Sequence, residues 1–348
     1  MISLKVPGKL YIIGEYSVLK PGNEAVLVAV DKFINVTVDA SKTYEFSSEL
    51  GHFKWMLSDK LPVFVYDTLT HAKAAVYVAH LYLNYKQVEP KVYSINLSSE
   101  LTTEENQKYG LGSSGAVVVS VIKGILDYHN VKIKKLDLFK LAVLAQIEIN
   151  DISSGGELAA SIFGGWVHYT RYDLIWVMNH KGKLDEVMTL TWPFLKITRL
   201  PKPPFELAIC YSGISQSTSQ MVGKMQTINQ SPWYATFLNK TKLIVTQFKE
   251  ALVRNDYFTT KYMLEMYRDQ LLDLQSKSGI IIESSPFKKM MQIASDYGLP
   301  AKTSGAGFGD CGFAIAQNKN QRILVQDAWF KAGLTPLELN VWEYNEQK

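Results

Sequence analysis

Residues 108–115, Lys-Tyr-Gly-Leu-Gly-Ser-Ser-Gly, carry the strongest chemical signal in the chain, and they open straight into an apolar run. The first turn of a helix presents unpaired N–H groups and the positive end of its dipole, so it attracts anions. Gly110, Gly112 and Gly115 let the backbone approach a phosphate closely. The hydroxyls of Ser113 and Ser114 can donate to phosphate oxygens or ligate magnesium, and Lys108 adds a mobile charge at the entrance. A serine-capped turn needs less than this, so residues 110–115 are expected to bind phosphate. The glycines also fit G-x-G-x-x-G, but a dinucleotide-binding unit needs a strand running directly into the first glycine. Here the preceding strand is expected to end near Leu97, with a polar loop between. No lysine follows the last glycine, which excludes a Walker A loop.

Two further segments point to the same chemistry. Residues 6–16, Val-Pro-Gly-Lys-Leu-Tyr-Ile-Ile-Gly-Glu-Tyr, place Lys9 at the head of a strand and Gly14-Glu15 at its far end. Residues 302–312, Lys-Thr-Ser-Gly-Ala-Gly-Phe-Gly-Asp-Cys-Gly, form a second glycine-rich loop between a helix and a strand.

The elements that must position these segments are legible in outline. Residues 4–11 and 25–38 read as strands joined by a turn at Pro21-Gly22-Asn23. Apolar spacing predicts a helix over 72–84, and 92–97 reads as a short strand. Residues 116–128 are apolar almost all round, which predicts a buried helix. A second helix is expected over 136–150, and strand character resumes over 163–170 after a glycine-rich stretch. Pro201-Lys202-Pro203-Pro204 is stiff and unfit for a central strand, so the chain divides there into domains 1–200 and 201–348. Beyond it, a strand over 205–211, long helical stretches within 233–275, a helix over 287–297 and a strand from Gly312 follow. Strands and helices interleave without strict alternation, which makes the fold class α+β.

Bulk properties exclude several functions. With 348 residues, 47% of them hydrophobic, the chain is long enough for two domains with substantial cores. The net charge of +4 is spread along the chain with no basic stripe, which argues against a nucleic-acid partner. The apolar run from Ala116 is broken by Lys123 and Asp127, short of the roughly 20 residues a bilayer span requires, so no membrane partner is expected. Cys210 and Cys311 are too few for a disulfide framework, and no charged-then-apolar leader begins the chain, so a reducing cytoplasm is expected. None of the six histidines falls in the segments above, and no His/Cys spacing suggests zinc.

Taken together, residues 7–22, 108–114 and 302–311 resemble the three signature motifs of the GHMP kinase family, and within it they look most similar to the bacterial phosphomevalonate kinases. The resemblance implies a two-domain α+β fold, the second domain ferredoxin-like, with the active site in the inter-domain cleft. It implies transfer of a phosphoryl group from ATP to 5-phosphomevalonate, giving ADP and 5-diphosphomevalonate, with Mg2+ required, by a monomer or homodimer. By the same resemblance Lys9 and Glu157 would be catalytic. Lys108, Gly110, Leu111, Gly112, Ser113, Ser114 and Gly115 would hold ATP, with Ser304, Gly305, Ala306 and Gly307 closing over it, and Ser114 would reach the magnesium. Lys9, Glu15, Tyr16, Ser154, Gly155 and Ser217 would line the acceptor site. Three positions depart from the motifs. Glu157 stands where the family has aspartate, Phe308 where phosphomevalonate kinases usually have glycine, and Tyr16 where other members tend to carry histidine. Two alternatives stay open: a mevalonate kinase, or a catalytically weakened protein of this fold that binds a nucleotide or metabolite.

Overall fold

The computed structural model describes residues 1–103, 107–214 and 231–344. The chain opens with the long strands β1 (Ile2–Ile13) and β2 (Glu24–Ala40), linked through a 3-10 turn, Ser17–Leu19. Strands β3 (Tyr44–Ser48), β4 (Gly51–Ser58) and β5 (Leu61–Val63) follow, then helix α1 (Thr70–Tyr85) and β6 (Tyr93–Ser99). Helices α2 (Ser113–Tyr128), α3 (Lys135–Glu148) and α4 (Gly156–Phe163) lead to β7 (Trp166–Thr170), short α5 (Leu174–His180) and α6 (Leu184–Thr189), and β8 (Lys196–Leu200). After β9 (Glu206–Tyr211) come α7 (Pro232–Val253), α8 (Tyr257–Ser278), α9 (Ser285–Asp296), β10 (Ala301–Thr303), β11 (Cys311–Ala316), α10 (Lys319–Lys331) and β12 (Thr335–Leu337).

An eight-stranded sheet runs β5-β4-β3-β6-β2-β7-β8, with β1 paired to β2 off this path; a four-stranded sheet runs β10-β11-β9-β12. The length of β2 organises the larger sheet: Ile34–Ala40 pairs with β6, and Glu24–Val28 pairs with β7. β1 lies antiparallel along β2, and its register slips between Pro7 and Gly8, where proline has no N–H to give. That slip matters because it lies just before Lys9.

Helix α2 is buried almost all round, as its apolar sequence predicts, and a Cβ at Gly124 would sit 3.0 Å from Val38, so the helix lies tight on β2. The smaller sheet is buried on both faces and sorts its side chains by size. In β9, Leu207, Ile209 and Tyr211 face the main core, whereas Ala208 and Cys210 turn to a second layer filled by Phe287, Met290, Met291 and Trp329. Strand periodicity alone puts alternate residues on opposite faces.

Several elements differ from the sequence reading. Residues 44–63, without an assigned element there, form β3–β5, whose burial is carried mainly by Phe46 and Trp55 on an otherwise polar ribbon. The strand expected over 163–170 begins only at Trp166, because Glu-Leu-Ala-Ala-Ser-Ile within the glycine-rich stretch makes α4. Helix α10 and strands β8, β10 and β12 were likewise absent from that reading. Among the described residues no helix is long and apolar enough to cross a membrane.

Candidate active site

The phosphate loop and β1 are built onto each other. The Lys9 amide donates to Leu111 O at 2.8 Å, and the Lys9 ammonium donates to Gly110 O at 2.9 Å. Gly112, at φ 78°, is the N-cap of α2 and offers no side chain to its amides. The first turn of a buried helix thus presents N–H groups without a side-chain cap. Ser113 and Ser114 are partly exposed at this end, and Lys108 is exposed at the loop entrance.

Close approach explains the glycines. A Cβ at Gly110 would collide with the Asp310 side chain, one at Gly112 would lie 2.9 Å from Lys9, and one at Gly115 would lie 2.8 Å from Glu157 Cγ. Three charged side chains from three distant segments therefore gather over the loop, each occupying the room a missing Cβ leaves. Lys9 is 8% exposed. Burial pushes its pKa down, and the carboxylates of Glu157, Asp310 and Glu15, with Cys311, oppose that.

Glu157 sits in the first turn of α4 and is held from behind. Its Oε1 accepts from Gln146 Nε2 at 2.9 Å and from the Ser153 hydroxyl at 2.6 Å. Neither holder was among the sequence candidates, because nothing in a helix interior marks a glutamine as a carboxylate support. The neighbouring carboxylate Asp151 is engaged elsewhere, 2.8 Å from His71 Nε2. Ser154 is buried, with its hydroxyl against the Tyr11 phenol and its carbonyl accepting from the Tyr169 phenol at 2.7 Å. Gly155 packs beneath Tyr169 and Tyr172.

The late glycine loop is fastened to the first segment across the two sheets. Tyr11 N donates to Ser304 Oγ at 2.9 Å, Gly305 N to Glu15 Oε1 at 3.3 Å, and the Tyr16 phenol to Ala306 O. Lys302, with no exposed surface, places Nζ 2.5 Å from Glu15 Oε1. Tyr267 OH donates to Glu15 O at 2.5 Å and Tyr234 OH to Tyr16 O at 3.2 Å. Glu15 and Tyr16 are therefore part of the seam between the sheets. Gly307 presses on Ile282 O, and Phe308 follows with φ 65°, its amide donating to that same carbonyl at 2.7 Å. Ser217 lies outside the described residues. The structure brings Lys9, Glu157, Ser154, residues 110–115 and residues 304–307 into one region, and it adds Tyr11, Asp310 and Lys302.

As a donor set for magnesium, the site offers the Ser114 hydroxyl and the Glu157 carboxylate, and among the described residues no group of three or more His, Cys, Asp or Glu is placed to hold a metal ion. That fits an ion which keeps its waters and is carried mainly by nucleotide phosphates. Both cysteines are buried free thiols, and Cys311 Sγ donates to Tyr109 O at 3.1 Å.

Comparison with known proteins agrees with this geometry. The family model described as GHMP kinases N terminal domain matches residues 71–165, and that of GHMP kinases C terminal matches 248–334. Phosphomevalonate kinase of Streptomyces sp. (strain CL190) is 32% identical over 96% of this chain and 95% of its own. Among solved structures, the Lin0012 protein from Listeria innocua superposes with a TM-score of 0.92 at 30% identity, covering 97% of both chains. Streptococcus pneumoniae phosphomevalonate kinase, in complex with phosphomevalonate and AMPPNP, superposes with a TM-score of 0.86 at 25% identity, covering 98% of this chain and 100% of that one.

Proposed function

The chain belongs to the GHMP kinase family, and from that premise we propose that it transfers the γ-phosphoryl group of ATP to the phosphate of 5-phosphomevalonate, releasing ADP and 5-diphosphomevalonate. The observation that carries the reading is the convergence of Lys9 and Glu157 on the uncapped N-terminus of α2. The Streptomyces relative bears the name of this activity, and the pneumococcal structure contains both kinds of ligand.

Phosphoryl transfer asks a protein mainly to hold two partners in line and to neutralise charge on the moving group. An acceptor that is itself a phosphate makes the second task harder, because two anions must meet. In this reading the amides of residues 110–115 and the Ser113 and Ser114 hydroxyls hold the nucleotide phosphates, with Lys108 at the entrance. Residues 304–307, fastened through Ser304 and Ala306 to the first segment, close the other side. Lys9 bridges acceptor phosphate and γ-phosphoryl from a position fixed by Leu111 and Gly110. Glu157, held by Gln146 and Ser153, keeps a carboxylate near Lys9 without pairing directly to it. Ser114 and Glu157 would reach a magnesium ion carried with ATP, which would supply charge neutralisation on the phosphates. The domains divide at residues 201–204, and the site occupies the cleft between them.

A coupled ADP-release assay with ATP, magnesium and a panel of acceptors tests this. Turnover on 5-phosphomevalonate is expected, and turnover only on mevalonate overturns the choice of acceptor. A protein that binds Mg-ATP in calorimetry yet turns over neither acceptor is a sensor rather than a kinase.

A further inference from the structure

Ser161, one turn beyond Glu157 on α4, has no exposed surface, and both its hydroxyl and its carbonyl bond outside the helix. The hydroxyl donates to Pro7 O at 2.8 Å, and the carbonyl accepts from the Tyr344 phenol at 2.8 Å. A serine inside a helix commonly turns its hydroxyl back on its own helix; this one reaches across 154 positions instead. Residues four apart share a helix face, so the side of α4 that presents Glu157 to the phosphate loop presents Ser161 to β1. Pro7 is where the register of β1 slips, two residues before Lys9.

Lys9 is thereby held from two sides. In front, its amide and ammonium bond to Leu111 and Gly110. Gly8 is pressed so closely on that loop that a Cβ there would lie 2.8 Å from Leu101 and 3.0 Å from Leu111 O. Behind, Ser161 takes the carbonyl at the slip.

Tyr344 arrives from the smaller sheet. After β12 the chain crosses to the larger one as a strap: Asn340 N donates to Asp31 Oδ1 at 2.7 Å, Trp342 N to Ala29 O at 2.9 Å, and Gly165 N to Trp342 O at 2.6 Å. Helix α4 ends there in Gly164 and Gly165, at φ 72° and 68°. A Cβ on Gly164 would lie 2.7 Å from the Tyr344 ring, and one on Gly165 3.1 Å from Glu343 Oε1. Two glycines in succession therefore let the strap reach the end of the helix whose first turn carries Glu157.

A buried carbonyl that loses its donor costs free energy, so β1, α4 and the strap settle together. We infer that Ser161 is a positioning residue for phosphoryl transfer, fixing Lys9 and Glu157 relative to each other, with Tyr344 pinning it from the smaller sheet. The assignment rests on the kinase reading above, in which Lys9 meets the moving phosphoryl group. Ser161 acts through Lys9 and meets no reactant itself.

Steady-state kinetics with Mg-ATP and the acceptor that wild type turns over test it. Ser161→Ala is expected to lower kcat about 10-fold, because a small displacement of a positioned group is amplified in rate. Both KM values stay within about twofold, the pattern of an interaction felt in the transition state. Tyr344→Phe, which keeps the ring and loses the hydroxyl, lowers kcat about threefold. In a Lys9→Ala background each substitution costs less than about twofold more, because the group it places is gone. A fall of the same size with and without Lys9 makes Ser161 a structural residue and overturns the assignment. Unchanged kcat in Ser161→Ala overturns it too, and unchanged kcat in Tyr344→Phe overturns the pin. Should Ser161→Ala fail to fold, Tyr344→Phe carries the same comparison with Lys9→Ala. A wild type that turns over no acceptor overturns the kinase reading, and this assignment with it.

Discussion

Two buried cations in two parts of the molecule have opposite surroundings. Lys302, in the seam between the sheets, is inaccessible to solvent and saturated: Glu15 Oε1 and Thr303 O each lie 2.5 Å from its ammonium, and the ring centres of Tyr267 and Phe313 stand 5.6 and 5.3 Å away. Arg171, behind Tyr11, is nearly as inaccessible but has one long hydrogen bond and, among the described residues, no paired carboxylate. Burial lowers the pKa of Lys302, and Glu15 opposes that shift. Folding alone explains the first cation, whose charge is answered inside the protein. It does not explain the second, whose charge no described carboxylate answers.

The largest expected effect comes from breaking the saturated pair. Lys302→Met leaves Glu15 buried without its counter-charge, with Oε2 unpartnered and Oε1 held only by the Gly305 amide at 3.3 Å. A loss of roughly 3–5 kcal/mol is expected, read as a fall in the denaturation midpoint. Activity goes with it, because Glu15 Oε1 also receives the Gly305 amide. Adding Glu15→Gln should return much of the stability. If Lys302→Met melts like wild type, the seam is not what this pair holds, and the contrast with Arg171 disappears.

Lys9 lies between these extremes, buried yet bonded to the loop it serves. Lys9→Ala should lower kcat by about 10²–10³-fold, or roughly 3–4 kcal/mol, with a far smaller change in KM for ATP and in melting temperature. Unchanged turnover would move the phosphoryl transfer away from β1.

His80 shows a third way to bury a basic group, which is to drop the charge. It is fully buried, 2.7 Å from the Tyr93 hydroxyl, and burial holds its pKa down to about 4 against an ordinary 6.5. Above pH 6.5 both folded and unfolded chains carry the neutral ring, and stability is unaffected. Between 6.5 and 4 only the unfolded chain takes up the proton, so stability falls as pH drops, by roughly 2 kcal/mol at pH 5. Denaturation midpoints from pH 7 to 5 should show this slope, and His80→Gln should flatten it. An arginine has no such exit, and for that reason the exposure of His80 and Arg171 can match while their meanings differ.

How much of this was legible depends on how local each feature is. Residues 110–115 announce themselves because glycine spacing, hydroxyls and an apolar helix are contiguous, and α2 is buried as its composition requires. The seam was half legible: Glu15, Tyr16 and residues 304–307 stand in recognisable segments, but that Lys302 meets Glu15 is a fact of folding across 287 positions. The surroundings of Arg171 were not legible at all. Tyr11, Ser154, Tyr169, Tyr172 and Tyr234 are scattered, and Thr170-Arg171-Tyr172-Asp173 reads as an ordinary polar turn until burial is known. Strands β3–β5 escaped for a related reason, since an edge ribbon with few buried side chains carries a weak alternating signal.

The smallest expected effect concerns the position where this chain departs from its family. A shorter aspartate would be the family's usual choice, yet the pocket here is shaped for glutamate. Glu157 Oε1 reaches Gln146 and Ser153, and its Cγ fills the space beside Gly115. Glu157→Asp withdraws the carboxylate from both holders and leaves a gap where that methylene stood. Misplacement of a positioned group by about 1 Å costs up to ~100-fold in rate, but the charge is retained and the space is small, so a loss of only about 3- to 10-fold in kcat is expected. Gln146→Leu, which removes one holder and keeps the glutamate, should produce a loss of similar size, and adding it to Glu157→Asp should cost little more, because the aspartate no longer reaches the amide. A gain of activity in Glu157→Asp would mean that Gln146 and Ser153 draw the carboxylate away from the reacting groups, and that this chain has traded turnover for binding.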